Sequence, residues 1–310
     1  MHEESGRELI VCNAEQTAGL LDFDDVADAV ARAAMELDAG AIMSPERLAL
    51  PLREGGSLLS MPASAADIAI HKLVNIQPAN RGKGLPTVSG IVTVCDATTG
   101  LPLCVLDGPR LTGCRTAAVS MLAIRLLAAS TPRRLLMFGT GAQAGHHVRA
   151  LAAMHPQCEV WVKGLDAQAS HDFCSRVRNV HSGLRPCDAG VPDDIDVVIT
   201  LTTSRIPIYD EAARPETLVI GVGAFRPDMA ELGRRTIQGS ELFADDPKGA
   251  RNEAGDFMQA DVNWSSVRSL AHALRNGRDR ERPAVFKSVG TAAWDLAAAR
   301  VALTRLQGSI

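Results

Sequence analysis

The sequence predicts an α/β protein in which a doubly wound parallel sheet is joined to a second, discontinuous α+β domain. The first observation is a short apolar run, Leu135 to Phe138, followed by a glycine-rich turn and by helical spacing from His146 to Met154. Such a run is typical of a strand buried on both faces of a parallel sheet. After Arg133 strand and helix patterns alternate, which indicates parallel βαβ units. The preceding block is rich in strand patterns and poor in helix.

Composition narrows the class of protein. With 310 residues, 46% of them hydrophobic, the chain is long enough for two domains. Its net charge of −4, without long runs of one sign, predicts neither nucleic-acid nor membrane binding. The acidic start Met1-His2-Glu3-Glu4 is not expected to be a signal peptide, and no apolar stretch approaches the roughly 20 residues of a spanning helix. Seven scattered cysteines without a C-x-x-C pair predict a reducing cytoplasm, buried thiols and no metal site.

The first block predicts one helix and a series of strands. Residues 22–37 have helical spacing, with Asp22 or Asp24 available as the N-cap. Strand patterns cover 9–12, 47–50, 57–62, 68–75, 87–96 and 102–107. Turn-forming residues from Asp96 to Gly100 predict a hairpin between the last two strands.

The second block begins after an Ala/Leu-rich helix, predicted over 112–129, that bridges the domains. Strands are predicted at 135–138, 159–162, 197–200, 218–221 and 242–244. A helix over 291–306 is expected to pack back on the first domain. The predicted domains are therefore 1–115 with 291–310, and 116–290, a Rossmann-type dinucleotide-binding domain. The Arg-rich stretch Arg275 to Arg282 predicts a solvated surface turn.

The pattern Gly139-x-Gly141-x-x-Ala144 lies between the predicted strand and helix. Gly139 allows a tight turn, Gly141 lets the backbone approach a pyrophosphate, and Ala144 lets the helix pack on the strand. A glycine turn without ligand is the alternative interpretation. The order of elements favours a dinucleotide site.

The end of the second strand bears on the choice of cofactor. An NAD-preferring site places an acidic residue there, whereas this strand ends in Lys163-Gly164. A lysine can pair with a 2′-phosphate, which favours NADPH. Asp166 lies close enough in sequence to leave NADH open.

Three basic residues interrupt apolar patterns in or near the first block: Arg47, Lys72 and Arg115. Positive groups of this kind suit a substrate carboxylate, although each alone could be a surface or salt-bridged residue. Asp228 follows a predicted Rossmann strand at its carboxyl end, where ligands bind, but it could equally be a helix N-cap.

Ordered motifs along nearly the whole chain resemble the ornithine cyclodeaminase/mu-crystallin family. They are Met61-Pro62 followed by Lys72, Asn80-x-x-x-Gly84-Leu85-Pro86-Thr87-x-x-Gly90, Asp96-x-x-Thr99-Gly100-x-Pro102, Asp107-Gly108-x-x-Leu111-Thr112-x-x-Arg115-Thr116-Ala117-Ala118, the 139–144 turn, Gly221-Val-Gly-Ala-x-Arg226-Pro227-Asp228-Met-Ala-Glu231-Leu232 and Phe286-Lys287-Ser288-Val289-Gly290.

The resemblance implies a homodimer that acts on a small amino or imino acid, and it assigns substrate binding and dimerisation to the domain of 1–115 and 291–310. It implies that Arg47, Lys72 and Arg115, with Met61 beside them, bind the substrate and that Asp228 faces the reacting nitrogen. The residues expected at the cofactor are Thr87, Arg115, Thr116, Gly139, Thr140, Gly141, Ala142, Gln143, Lys163, Thr202, Ala224 and Ser288.

Departures from the family's cyclodeaminases favour its reductase branch. The glutamate that cyclodeaminases carry just before the Met-Pro pair is absent from Leu59-Ser60, and Ile76-Gln77-Pro78 replaces their Gly-His-Pro. Lys163 stands where an acid would hold NAD. The chain thus resembles Δ1-pyrroline-2-carboxylate and Δ1-piperideine-2-carboxylate (ketimine) reductases.

The expected reaction is NADPH-dependent hydride transfer to C2 of a cyclic imino acid, giving proline or pipecolate. The proton would come from Asp228, or from Lys72 if the Lys72 pKa is depressed. The alternatives are an alanine dehydrogenase, an ornithine cyclodeaminase and a non-catalytic mu-crystallin-like binding protein. Ring size, stereochemistry and pathway stay open.

Overall fold

The computed structural model describes residues 9–188 and 192–308. The strands in these ranges are β1 (Ile10–Val11), β2 (Leu48–Pro51), β3 (Ser57–Ser64), β4 (Ile68–Ile76), β5 (Val88–Asp96), β6 (Pro102–Asp107), β7 (Arg134–Phe138), β8 (Glu159–Lys163), β9 (Leu184–Pro186), β10 (Val197–Thr200), β11 (Leu218–Gly221), β12 (Glu241–Ala244), β13 (Arg268–Ser269) and β14 (Ala284–Lys287). The α-helices are α1 (Ala14–Gly19), α2 (Phe23–Asp38), α3 (Gly108–Leu127), α4 (Ala142–Met154), α5 (Ala167–Val177), α6 (Arg234–Gln238), α7 (Pro247–Glu253), α8 (Gly255–Gln259), α9 (Leu270–Asn276) and α10 (Ala292–Gly308).

The described residues fall into two compact units, one within Met1–Arg115 and Thr291–Ile310 and the other within Thr116–Gly290. The boundary between them lies inside α3. No helix in the described ranges is both long and apolar enough to span a bilayer. All seven cysteines are free thiols and six of them are buried, as the sequence predicts.

The first unit is built on a six-stranded sheet in the order β1-β6-β5-β4-β3-β2, in which only β1 pairs in parallel. The predicted hairpin between β5 and β6 is confirmed, and the Asp96 carboxylate accepts the Thr98 and Thr99 amides in its turn. Helix α10 packs against α2, β3 and β4. Of the two predicted N-cap candidates of α2, Asp22 is the cap, and its side chain accepts the amides of Asp24 and Asp25.

The opposite face of this sheet carries exposed apolar side chains. Strand register places Leu48, Ser60, Leu73 and Ile91 in one row across β2 to β5. Leu48 and Ile91 are exposed, as is Leu50 in the next row. We call this surface the outer sheet face.

The second unit contains an eight-stranded sheet in which every pairing is parallel, in the order β13-β12-β14-β11-β10-β7-β8-β9. Chain order reverses between β7 and β10, which confirms the predicted doubly wound sheet and locates its ligand edge at the carboxyl ends of these strands. The sequence missed β9, β13 and β14. β9 and β13 are only three and two residues long, too short for a periodic pattern to distinguish them.

The bridging helix differs from its prediction at its start. Helix α3 begins at Gly108, four residues before the predicted start, because Pro109 is tolerated in a first helical turn that needs no amide donor there. Its last carbonyls, at Leu127 and Ala128, accept hydrogen bonds from Arg278 and Arg280.

The prediction of a solvated turn over Arg275 to Arg282 is therefore wrong for Arg278. That side chain is only 8% exposed. Its guanidinium also donates to the carbonyls of Pro215 and Arg282. Five donors in a rigid fork make arginine able to satisfy several carbonyls at once, and the charge pattern alone contains no signal for these acceptors.

Candidate active site

A buried charge cluster lies within the first unit. The Lys72 ammonium is 2.5 Å from Asp295 Oδ2, and Arg115 Nε is 3.0 Å from Asp295 Oδ1. Lys72 is 2%, Arg115 6% and Asp295 0% exposed. One carboxylate thus binds two cations, and the cluster holds one positive charge in excess.

The local structure explains how these side chains come together. Alternation along β4 directs Lys72 to the same buried face as Ile70 and Val74, towards α10. Asp295 lies in the first turn of α10, where the helix dipole favours a negative charge. Arg115 is the last residue of the first of the unit's two segments and lies two turns into α3.

The predicted substrate residues Lys72 and Arg115 are therefore paired with a carboxylate that the sequence analysis did not single out. Asp295 lies in an Ala-rich helical pattern, where the one available signal was an acid in an otherwise apolar segment. The salt-bridged alternative considered for the basic residues is correct for both, and the excess positive charge remains.

Burial dominates the titration of Lys72. The pKa of Lys72 is lowered to about 8, chiefly because burial disfavours the ammonium; Arg115 and Arg47 act in the same direction and Asp295 opposes them. Burial acts to raise the pKa of Asp295, but the charges of Arg115 and Lys72 outweigh it and leave that pKa lowered. Lys72 is thus a cation that can release its proton near neutral pH.

Three other residues predicted for the site, Arg47, Met61 and Thr87, also lie in this unit. Arg47 directly precedes β2 and lies near enough to Lys72 for its charge to lower the Lys72 pKa. Met61 is buried and lies opposite Lys72 in the register of β3 and β4. Thr87 precedes β5, is half-buried, and its carbonyl accepts the Gln77 amide.

In the second unit, the glycine turn joins β7 to α4. Gly139 has φ +112°, a conformation that side chains disfavour, and a Cβ there would lie 2.9 Å from the Leu201 carbonyl oxygen. The turns after β7 and β10 therefore approach closely at the switch point. Thr140 is half-buried, and Gly141 and Ala142 are exposed.

The start of α4 fits a dinucleotide. Gly141 is its N-cap and provides no capping side chain, and a Cβ on Gly141 would meet no atom within 4 Å. The Gln143 Oε1 atom is buried without a hydrogen-bond partner in the described part of the chain. A helix N-terminus of this kind suits a phosphate, and a ligand would satisfy the amide oxygen.

Glu231 organises the turns that follow β10 and β11. Its carboxylate accepts the Thr200 and Thr202 hydroxyls and the amides of Thr202, Gly223 and Ala224. The predicted cofactor residues Thr202 and Ala224 are thereby brought to one carboxylate. The pKa of Glu231 is nevertheless raised, because burial outweighs these bonds and the charge of Lys287. Glu231 appeared in the sequence only as part of a motif, with no signal for this role.

Lys163 ends β8 at the ligand edge of the sheet. Its carbonyl accepts the Gly139 amide at 2.9 Å, and its ammonium lies 5.8 Å from the centre of the Phe138 ring. Asp166 is instead the N-cap of α5, where its side chain accepts the Ala169 amide. The strand therefore ends in a lysine, and Asp166 has a structural role.

Ser288 and Thr116 are both buried in the second unit. The Ser288 hydroxyl donates to Asp245 Oδ2 at 2.9 Å, and the same carboxylate accepts the Val289 and Gly290 amides. The Thr116 carbonyl accepts the Ser120 hydroxyl. Asp245 thus fixes the segment after β14, another role without a sequence signal.

Asp228 lies in a turn between β11 and α6. It is half exposed and accepts two hydrogen bonds of 2.9 Å from Arg226, with Arg205 at 3.5 Å. The hydrogen bonding from Arg226 is the largest cause that lowers the Asp228 pKa, and the charges of Arg226 and Arg205 act in the same direction. The N-cap alternative is wrong, since the N-cap of α6 is Gly233. Asp228 is therefore an anion, poorly suited to donate a proton.

Comparison with known proteins relates these features to a family. The sequence profile of the ornithine cyclodeaminase/mu-crystallin family matches residues 7–309. The Δ1-pyrroline-2-carboxylate/Δ1-piperideine-2-carboxylate reductase of Azospirillum brasilense is 50% identical over 293 residues, 94% of each chain.

Two solved structures share the fold. The Δ1-pyrroline-2-carboxylate reductase of Thermococcus litoralis, in complex with NADH and L-proline, superposes with a TM-score of 0.87 at 25% identity and covers 97% of this chain and 99% of its own. An archaeal alanine dehydrogenase, a dimer with bound NAD, has the same score and identity and covers 97% of each chain.

Proposed function

The chain belongs to the ornithine cyclodeaminase/mu-crystallin family, and we propose that it reduces a cyclic imino acid at C2 to the corresponding cyclic amino acid. Δ1-Pyrroline-2-carboxylate and Δ1-piperideine-2-carboxylate are the proposed substrates, proline and pipecolate the products, by similarity to the 50% identical relative. The observation that carries this proposal is the buried cluster of Lys72, Arg115 and Asp295, which combines a surplus positive charge with a lysine of lowered pKa.

The surplus charge suits the substrate carboxylate. Asp295 contacts Arg115 through Nε, which leaves the two terminal amino groups of the guanidinium outside that contact. Arginine binds carboxylates through such paired donors. We assign the carboxylate to Arg115 and Arg47, with Lys72 beside them and buried Met61 against the ring.

Lys72 is the proposed proton donor. The imine nitrogen must be protonated for C2 to become electrophilic, and a general acid works best with a pKa near the operating pH. The Lys72 pKa of about 8 meets that condition. Asp228, whose pKa is lowered, is proposed to stabilise the protonated imine as an anion.

The second unit is proposed to bind the nicotinamide dinucleotide. Gly139 to Gln143 would hold the pyrophosphate. Thr202, Ala224 and Ser288 would line the site on the segments that Glu231 and Asp245 fix. The assignments of Thr87, Arg115 and Thr116 to the cofactor stay predictions from the resemblance to the family. When bound, the cofactor supplies the hydride. Lys163 at the end of β8 supports a preference for NADPH, because its ammonium can pair with a 2′-phosphate.

We also propose a cytoplasmic homodimer. Seven free thiols suit a reducing compartment. The outer sheet face exposes Leu48, Leu50 and Ile91, which a second copy would cover, and the similar alanine dehydrogenase is a dimer. The first unit would then combine substrate binding with dimerisation.

A direct assay tests the function. The oxidation of NADPH is followed by absorbance with the five- and six-membered cyclic imino acids, beside an assay of ammonia release from ornithine with NAD. We expect rapid imine-dependent oxidation without ornithine turnover, and the ratio of rates identifies the preferred ring. Ammonia release from ornithine without imine reduction would contradict the proposal and identify a cyclodeaminase.

A further inference from the structure

Asp295 is the centre of the buried cluster, since each of its carboxylate oxygens binds a different cation. Its side chain is fully buried and comes from α10, whereas Lys72 comes from β4 and Arg115 from α3. An anion that joins three elements in this way restrains both cations at once.

We propose that Asp295 is a positioning residue that holds the Lys72 ammonium and the Arg115 guanidinium in place, so that one delivers the proton and the other binds the substrate carboxylate. The proposal rests on the imine reductase function proposed above. Asp295 itself need not touch the substrate. Its effect passes through the two cations that it binds.

The charges around Lys72 explain why this carboxylate matters. Arg115 on α3 and Arg47 before β2 oppose the ammonium form, as does burial. The neighbours on β3 and β5 are Met61 and Val92, which carry no charge. Asp295 is the acidic group of this set and keeps Lys72 protonated near neutral pH.

Replacing Asp295 with asparagine removes the charge and almost no volume. The amide oxygen can accept from one cation, and the amide nitrogen then faces the other as a second donor. The Lys72 pKa should fall further, by roughly one to three units, because an opposite charge at this distance is lost.

The first test is the pH profile of kcat/KM for Δ1-pyrroline-2-carboxylate in wild type and Asp295→Asn. The kcat/KM of wild type should fall as the pH rises through the Lys72 pKa. In Asp295→Asn the same fall should occur at a pH lower by roughly one to three units. Circular dichroism and cooperative thermal unfolding show that each variant is folded. A folded Asp295→Asn enzyme that loses activity at the wild-type pH would overturn the proposal.

Two further variants separate positioning from general damage. Asp67→Asn alters a carboxylate that α10 binds through Arg300, outside the cluster, and should leave the profile unchanged. Asp295→Glu keeps the charge but displaces it, so kcat/KM should fall about tenfold while the pH of activity loss stays near that of wild type. If Asp295→Asn does not fold, full activity in Asp295→Glu overturns the proposal.

A measurement that needs no turnover tests the role of Asp295 independently of the proposed imine reductase activity. NMR of ¹⁵N-labelled lysine side chains follows the titration of Lys72, which is assigned by its loss in Lys72→Arg. A lower midpoint in Asp295→Asn than in wild type supports the role of Asp295, even if the wild type reduces no imine. Equal midpoints overturn it, even if the wild type is an active reductase.

Discussion

Lys287 and Asp256 form an ion pair of 2.5 Å in which both side chains are completely buried. The other oxygen of Asp256 accepts the amides of Glu231 and Leu232. Since Glu231 in turn fixes the turns after β10 and β11, this pair supports the edge of the sheet at which we propose the cofactor binds.

Breaking this pair should destabilise the second unit. Asp256→Asn leaves the Lys287 charge buried without its partner, and we expect a loss of about 3–5 kcal/mol in the free energy of unfolding. Urea unfolding followed by circular dichroism measures it. Asp67→Asn, at a partly exposed ion pair with Arg300, should cost less, about 1 kcal/mol. Equal, small effects of the two substitutions would contradict this prediction.

The wild-type rate should depend on pH through Lys72. The protonated form is the active acid, so kcat/KM should be constant below the Lys72 pKa and fall as the pH rises through about 8. Lys72→Arg keeps the charge but cannot release the proton, so kcat should drop by at least about a hundredfold. An active Lys72→Arg enzyme with an unchanged profile would remove Lys72 as the donor.

Asp228→Asn tests the proposed role of Asp228 in stabilising the protonated imine. Because Arg226 and Arg205 already neutralise much of the Asp228 charge, we expect kcat to fall about tenfold, less than with Lys72 variants. The pH of activity loss and the affinity for the cofactor should stay at their wild-type values. Near-full activity would exclude Asp228 from the reaction.

Cofactor choice should depend on Lys163. If its ammonium binds the 2′-phosphate, Lys163→Ala should lower kcat/KM for NADPH about tenfold to a hundredfold. The value for NADH, which has no such phosphate, is the internal control and should hardly change. The preference for NADPH is wrong if the wild type uses NADH equally well or better.

Substitution by alanine should have different effects at Gly139 and at Gly141. Gly139→Ala forces a side chain into a positive φ and towards the Leu201 carbonyl, so stability should fall by about 1–3 kcal/mol. Gly141 has φ −85° and open space around the new Cβ, so Gly141→Ala should fold normally. Its affinity for the dinucleotide should still fall, as a fluorescence titration would show. Unimpaired binding in Gly141→Ala would contradict the proposed phosphate site.

Much of the site could be inferred from local pattern. Lys72 stood out because its charge interrupts an apolar strand pattern, and the structure shows that it is buried there. The glycine turn was recognisable because its strand and helix adjoin it in sequence. The resemblance to the family's reductase branch agrees with the 50% identical relative.

The partners of these residues could not be inferred in the same way. The sequence marked Lys72 and Arg115 as charges within apolar patterns but identified no partner for them, and their carboxylate is 223 and 180 residues away along the chain. Helix α10 is buried almost all round, so no periodicity marks the side on which Asp295 lies. Arg278 was misjudged for a related reason, since its acceptors are backbone carbonyls that carry no sequence signal.

The sequence by itself determined most of the strands, the doubly wound sheet, the glycine turn and the family, because each depends on short-range periodicity or on residues close together in the chain. Only the tertiary structure decided which charges are neutralised and which remain available. An ion pair depends on distances of a few ångströms between side chains, and those are set by how helices and sheets pack. The packing of α10 against β4 decides both the pairing of Asp295 with Lys72 and the burial that lowers the pKa of the proposed proton donor.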